Sequence, residues 1–408
     1  MKINNSDLLT KHWGEITELV RNGYTRPTDL GKIIFEKYNY YNENNFDSFR
    51  RAISTKLSNK PQSLTHPALN EECDAIGLPI QSVKNYWYKG EHFSINVNAS
   101  SEVDYVQAIG AVLENYTYEK KKFVRTKDTN NPKAIKATLS DMHVGLNPNP
   151  NNKSLFGYEY NAEIFNENID KVINSIVKEY ENNGVFDLLL FDDLGDGLDG
   201  YNGLTTRGGH GLEQNMSNEE AFKTYIEGKL RLIETVIDMG VANKYHIRNV
   251  SDCNHSGSFG AIANMAIKMI LERVYEKGAV EFTILERFME HFVYGEHTFI
   301  LTHGKDSKYM FKGLPYTLND KTISFINEYI EHYGINTKYI HLEKGDLHRI
   351  GYDRTKKFDY RNFMSFSPPS AWVQGNFGDG YSGYSIQIVP KNNGEIQHTD
   401  YYLDLRKK

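Results

Sequence analysis

Cysteine is almost missing from this chain, with only Cys73 and Cys253 among 408 residues. Two thiols build neither a disulfide framework nor a cysteine-rich zinc site, and a reducing, cytoplasmic setting is the simplest expectation. Long apolar runs are lacking too. None approaches the ~20 residues that span a bilayer. The start, Met1-Lys2-Ile3-Asn4-Asn5, has no hydrophobic region of the kind a secretory signal needs. An excess of basic charge is also absent: the net charge of -6 argues against a nucleic-acid footprint spread over the whole surface. Repeats and low-complexity tracts do not occur.

What is present is a globular composition, 39% hydrophobic and 25% charged, in a chain too long for one ordinary core. The charge is uneven. Residues 1–70 carry ten Lys/Arg against seven Asp/Glu, and Lys120, Lys121, Lys122, Arg125, Lys127, Lys133 and Lys136 face only Glu119 and Asp128 over 119–136. Three domains are expected: residues 1–69 as a small helical, helix-turn-helix-like domain, 70–132 as a small α+β unit ending in a lysine-rich linker, and 133–408 as an α/β domain.

In the first domain, Leu8 to Val20 reads as an amphipathic helix, and Thr28 after Pro27 as the N-cap of a second. Phe46, Phe49, Ile53 and Leu57 form the apolar stripe of a third helix, whose other face carries Arg50, Arg51 and Lys56. These three basic residues are the candidates for DNA contact. The bland alternative is a helical bundle with a solvated charged face. In the second unit, Tyr86-Trp87-Tyr88 to Val97 suggests a strand pair, and Asp104 to Tyr116 a helix.

Beyond Lys133, strands and helices alternate. Strands are expected over Ala134–Leu139, Phe186–Phe191, Lys244–Val250, Phe299–Thr302 and Lys338–Leu342. Helices are expected over Tyr160–Tyr180, Glu219–Met239, Ile262–Tyr275 and Thr322–Tyr333, and a β-rich tail runs from Phe363 to Leu405. This alternation points to an α/β sheet sandwich.

Five short clusters follow apolar, strand-like runs in order: Asp141-Met142-His143, Gly195-Asp196, Asn254-His255, His303-Gly304 and Asp346-Leu347-His348. Hard and borderline ligands delivered serially from strand ends suit divalent metal ions, and an Asn carbonyl favours an oxygen-preferring ion such as Mn²⁺. Which acid near the second cluster acts is open on spacing alone, because Asp192, Asp193 and Asp199 lie close by.

The ordered set Asp141-x-His143, Gly195-Asp196, Asn254-His255, His303-Gly304 and Gly345-Asp346-x-His348 resembles the motifs of the calcineurin-like metallophosphoesterases over about Lys133 to Lys408. Within that family it looks most like phage-encoded phosphoesterases and the DNA-processing nuclease branch. The resemblance implies a four-layer αββα sandwich holding two divalent metal ions, manganese first, with iron, zinc or magnesium as alternatives. Asp141, His143, Asp196 and His348 would hold one ion, and Asp196, Asn254, His303 and Asp346 the other. A hydroxide bridging the ions would attack phosphorus, and His255 would assist on the phosphate. Arg207, in the phage-like segment Leu204-Thr205-Thr206-Arg207-Gly208, is a candidate substrate-binding residue.

The implied activity is hydrolysis of phosphodiester bonds, with DNA as substrate and partner and with no membrane partner. A phosphatase, a cyclic-nucleotide phosphodiesterase and a non-catalytic DNA-binding protein are the alternatives. Two motifs, the third and the fifth, depart from the pattern. Cys253 and Ser256 flank Asn254-His255 where a glycine and an acid are usual, and Asp346 stands where a histidine is usual.

Overall fold

Strand β3 (Lys133–Leu139) buries both of its faces, and the two faces serve different cores. Ile135, Ala137 and Leu139 join the largest apolar cluster, whereas Ala134 joins a second cluster with Leu190, Val250, Phe299 and Val389. A strand sealed on both sides is the interior of a layered sandwich.

The computed structural model describes residues 5–21, 26–38, 40, 46–58, 85–89, 94–98, 121, 132–276, 278–308 and 313–403. The chain divides into two compact units, Met1–Asp104 and Tyr105–Lys408.

The first unit contains α1 (Asn5–Arg21), α2 (Pro27–Tyr38), α3 (Phe46–Ser58) and the antiparallel pair β1 (Asn85–Lys89) and β2 (Ser94–Asn98). Leu8, Ile16, Leu30, Ile34, Phe35, Phe49 and Ile53 form the core of the helical trio, so the expected apolar stripes do face one another. One detail differs. Pro27 is itself the first residue of α2, so Thr28 lies inside the first turn and is not its cap; proline suits that position because its missing N–H has no helical partner there. The expected helix over 104–116, Cys73 and most of the lysine-rich linker lie outside the described residues, as does the side chain of Lys56.

In the second unit the chain continues as α4 (Ala162–Asn183), β4 (Leu188–Asp193), α5 (Asn218–Asp238), β5 (Tyr245–Val250) and α6 (Gly257–Val274). Then come β6 (Val280–Leu285), β7 (Glu290–Tyr294), β8 (His297–Thr302), α7 (Asp320–His332) and β9 (Tyr339–Lys344). The order closes with β10 (Gly351–Arg354), β11 (Asp359–Asn362), α8 (Ala371–Phe377), β12 (Ser382–Pro390) and β13 (Gln397–Leu403). One sheet runs β13-β12-β3-β4-β5-β6 and the other β10-β11-β9-β8-β7.

Burial gives the layers. The main cluster joins the first sheet to α4, α5 and α6 through residues such as Phe165, Phe222, Ile233 and Ile267. The second cluster lies between the two sheets. A further one packs Ile326 and Ile330 of α7 on Ile300 and Leu342 of the second sheet. Helix, sheet, sheet, helix is therefore the stacking: a four-layer αββα sandwich. Among the described residues, no helix is long and apolar enough to cross a membrane.

The expected elements recur with shifted ends, and two differences are substantial. Helix α6 starts at Gly257, five residues before the expected Ile262, because Gly257 and Gly260 read as loop. The tail contains α8, in which Asn376 and Phe377 form the last turn and Gly378, at φ 82°, closes it. β3, β4, β5 and β6 run parallel, as do β8 and β9. Their C-terminal ends share one edge, and that edge carries the five clusters.

Candidate metal centre

Three of the five clusters leave their strands through left-handed backbone. Asp141, His143, Asp196, Asp346 and His348 all hold positive φ, between 40° and 69°. Such conformations cost roughly 1–3 kcal/mol each in side-chain-bearing residues and collect where surrounding structure enforces them. The enforcement is visible in the backbone. Asp141 N–H donates to Gly195 O at 3.0 Å, His143 N–H to Asp196 O at 2.9 Å, and Gly345 N–H to His303 O at 3.1 Å. Gly195, at φ 100°, holds a backbone conformation that strains a side chain, and a Cβ there would crowd His303 Nδ1 at 3.0 Å.

Three triads result. Asp141, His143 and His348 form one, Asp141, Asp196 and His303 a second, and His143, Asp199 and His255 a third. Within each, one potential ligand atom per residue lies within 4.8 Å of the others. Asp141 is common to the first two.

Histidine tautomers are set from behind, as in metal sites where the outer nitrogen is hydrogen-bonded to fix the inner one. His303 Nδ1 pairs with the Leu194 carbonyl at 2.8 Å. Its Nε2 then faces Asp196 Oδ2 at 2.9 Å and Asn254 Oδ1 at 3.1 Å. His143 Nδ1 pairs with Asp199 Oδ1 at 3.0 Å, which turns its Nε2 toward His348 Nε2, 3.3 Å away.

These atoms fit a divalent cation. Two ligands each ~2.1 Å from a tetrahedral ion lie roughly 3.4 Å apart, close to the separation of the two facing imidazole nitrogens. Asp141 Oδ1 is buried without a hydrogen-bond partner and lies 3.2 Å from His348 Nε2. A buried, unsatisfied carboxylate oxygen is costly unless something positive completes it. The electrostatics agree. Burial alone would lower the His303 imidazole, but Asp196, Asp141 and Asp346 outweigh it and push it up to about 10. Burial would also raise Asp196, yet His303, His255 and His143 hold its carboxyl well below the usual range.

His255 stands beside these ligands, partly exposed at 24%. Its backbone N–H donates to Asp196 Oδ1 at 2.9 Å, and its ring meets the His143 ring edge-on at 4.5 Å. Its Nδ1 lies 3.3 Å from Asp199 Oδ1. Burial lowers its basicity, while Asp196 and Asp199 more than compensate, so the imidazole is raised above its ordinary value. Asp252 does not serve here; its Oδ1 accepts from Ser307 N–H at 3.0 Å.

Asp346 belongs to none of the three triads. Its backbone N–H donates to Asp141 Oδ2 at 3.3 Å. Arg207 sits at the rim, its guanidinium on Asp306 Oδ1 at 2.8 Å and its backbone N–H on Asn254 O at 2.9 Å. In the separate N-terminal unit, Arg50 is 3.5 Å from Asp47 and Arg51 is exposed.

Sequence reasoning missed two residues as participants. Asp199 carries a signal, three residues after Asp196, but that spacing did not separate it from its acidic neighbours. Lys344 carries none: it ends β9 fully buried, its Nζ 3.1 Å from Gly345 O. Burial brings its ammonium down to about 8, with Asp346 and Asp141 opposing the shift.

By sequence, no protein family and no curated protein matches the chain. Solved structures do resemble it. An archaeal phosphodiesterase aligns at TM-score 0.30 and 10% identity, over 66% of this chain and 99% of its own. Vps29 of Entamoeba histolytica complexed with zinc aligns at 0.26 and 10%, over 66% and 98%. A 5'-nucleotidase assigned in Staphylococcus aureus aligns at 0.28 and 11%, over 68% and 55%.

Proposed function

We propose that this chain is a two-metal phosphoesterase that hydrolyses phosphodiester bonds, with DNA as the substrate and nuclease action as the outcome. One observation carries the metal centre: Asp141, with its unsatisfied Oδ1, is shared by two triads whose imidazole nitrogens face inward. Asp141, His143 and His348 would hold one ion. Asp196, Asn254 and His303 would hold the other, with Asp141 between and Asp346 at the margin. When bound, divalent ions there supply Lewis acidity and make a nucleophile available near neutral pH. The mix of carboxylate, amide and imidazole donors favours Mn²⁺.

The chain's own residues supply the rest. His255, whose imidazole Asp196 and Asp199 raise above its ordinary value against the effect of burial, donates a proton to the departing oxygen. Asp199 holds its ring, and Arg207, fixed by Asp306, presents its remaining donors to the phosphate. DNA is favoured over other esters by the helical N-terminal unit with Arg50 and Arg51, and by the resemblance to nucleases.

A panel of a phosphomonoester, a simple phosphodiester and DNA, assayed with Mn²⁺, tests the reading. Hydrolysis of the diesters that vanishes in His143→Ala supports it. Absence of Mn²⁺-dependent hydrolysis of every substrate contradicts it.

A further inference from the structure

Tyr225 and Lys229 stand one helical turn apart on α5, so they share a face, and both reach into the core at the end of β4. The Lys229 ammonium is fully buried and donates to Asp193 Oδ2 at 2.7 Å. It also meets Asn249 Oδ1 of β5 at 2.6 Å and Asn264 Oδ1 of α6 at 2.9 Å. The Tyr225 hydroxyl donates to the same Asp193 oxygen at 2.7 Å. Asp193, Tyr225, Asn249 and Asn264 are each at most 2% exposed.

The second oxygen of Asp193 leads to the metal centre. Asp193 Oδ1 accepts the Gly195 N–H at 3.0 Å. Gly195 lies in the turn that carries Asp196, and that turn touches three further candidate ligands. The Gly195 carbonyl accepts from Asp141 N–H at 3.0 Å, and the Asp196 carbonyl accepts from His143 N–H at 2.9 Å. The Leu194 carbonyl pairs with His303 Nδ1 at 2.8 Å. The wall behind the turn is close as well, since a Cβ on Gly197 would come within 2.5 Å of the Tyr225 ring.

Replacing a buried ion pair by apolar residues of similar volume is often neutral or stabilising, so stability alone does not account for this ammonium. What it supplies is direction. A carboxylate is planar, and with Oδ2 held by an ammonium and a phenol, Oδ1 has one orientation left. We infer that Asp193 and Lys229 are positioning residues for the metal centre: together they clamp the Gly195 N–H and so set the turn on which Asp141, His143, Asp196 and His303 are aligned. The inference rests on the phosphoesterase reading for its purpose, and on the hydrogen bonds alone for its geometry.

Two double variants separate positioning from packing. Asp193→Asn with Lys229→Met keeps an oxygen acceptor for Gly195, whereas Asp193→Leu with Lys229→Met has the same shape and charge without one. Exchange of the Gly195 amide in metal-free, glycine-labelled protein reads the turn itself, with the Gly228 amide of α5 as control for helix docking. Calorimetric titration with Mn²⁺ reads the ligands. In the leucine pair, Gly195 exchange should be roughly tenfold faster than in the asparagine pair, with Gly228 unchanged. Mn²⁺ affinity should fall by ~10-fold or more between the same two. If the leucine pair misfolds by circular dichroism, Asp193→Ala with Lys229→Met takes its place. Equal Gly195 exchange in the two pairs, Gly228 accelerating by the same factor, or equal Mn²⁺ affinity despite altered Gly195 exchange overturns the inference. A wild type that binds no Mn²⁺ counts against the phosphoesterase reading, and Gly195 exchange then decides the clamp by itself.

Discussion

The carboxylate of Asp199 lies between two histidines, 3.0 Å from Nδ1 of His143 and 3.3 Å from Nδ1 of His255. One buried acid therefore hydrogen-bonds an inward-facing imidazole and stands within ion-pair distance of the partly exposed one next to it. Asp199 reaches His255 from another loop, and Ser256 follows that histidine in the chain.

Asp199→Ala is therefore expected to damage both functions together. Removing an outer partner of a metal-binding histidine typically costs ~10–100-fold in metal affinity or activity. Titration with Mn²⁺ and kcat measured at saturating metal separate the effects. A loss of kcat that persists at saturation reports His255. Full recovery by excess metal would show that Asp199 acts on His143 alone.

Arg207 is clamped by Asp306 and by the backbone of the third cluster, so its position is set before substrate arrives. Arg207→Ala is expected to raise KM about tenfold while kcat changes little, the pattern of lost uniform binding. An unchanged KM would remove it from the substrate site.

Between the sheets, Lys136 lies 3.1 Å from Asp192 and 2.5 Å from Glu343, while Arg248 grips Asp192 at 2.6 and 2.7 Å. All four side chains are at most 2% exposed. Lys136→Met leaves the acids underneutralised, and breaking a buried pair costs ~3–5 kcal/mol. Urea unfolding checks this; a loss below about 1 kcal/mol would mean the cluster is solvated or redundant.

Stability on the acid side should depend on His246, whose ring packs edge-on against Phe292 and whose Nε2 lies 2.9 Å from Thr283 Oγ1. Burial, with help from Arg248, lowers its imidazole to about 4. An unfolded histidine titrates near 6.5, so between these values the unfolded chain binds more protons and stability rises with pH. The contribution is complete above about pH 6.5 and is lost as pH falls toward about 4. Relative to His246→Gln, the wild type should lose about 3 kcal/mol across that window. Parallel stability curves would contradict the assignment.

Much of the fold was legible because buried strands such as Leu188–Phe191 are continuous apolar runs and helices such as α5 keep a clear apolar stripe. Strands β6 and β7 were not, since Glu281, Glu286, Arg287 and Glu290 break the apolar pattern there. The start of α6 was hidden by glycines needed for close approach to Thr206 and Ser256. Six of the seven expected ligands converge on the centre, because ordered clusters at strand ends encode which edge they share. Asp346 remains outside the triads, and neither Asp199's bridging role nor the burial of Lys344 could be read from spacing: both depend on how separate loops fold over the same edge.

The count of metal ions per chain tests the central claim most directly. After loading with Mn²⁺ and removal of excess, elemental analysis of the wild type should give two ions per chain, and Asp141→Asn, which alters the carboxylate shared by both triads, should lose both at the same free metal concentration. A wild type that retains no ion, or an Asp141→Asn variant that retains two, would contradict a shared two-metal centre.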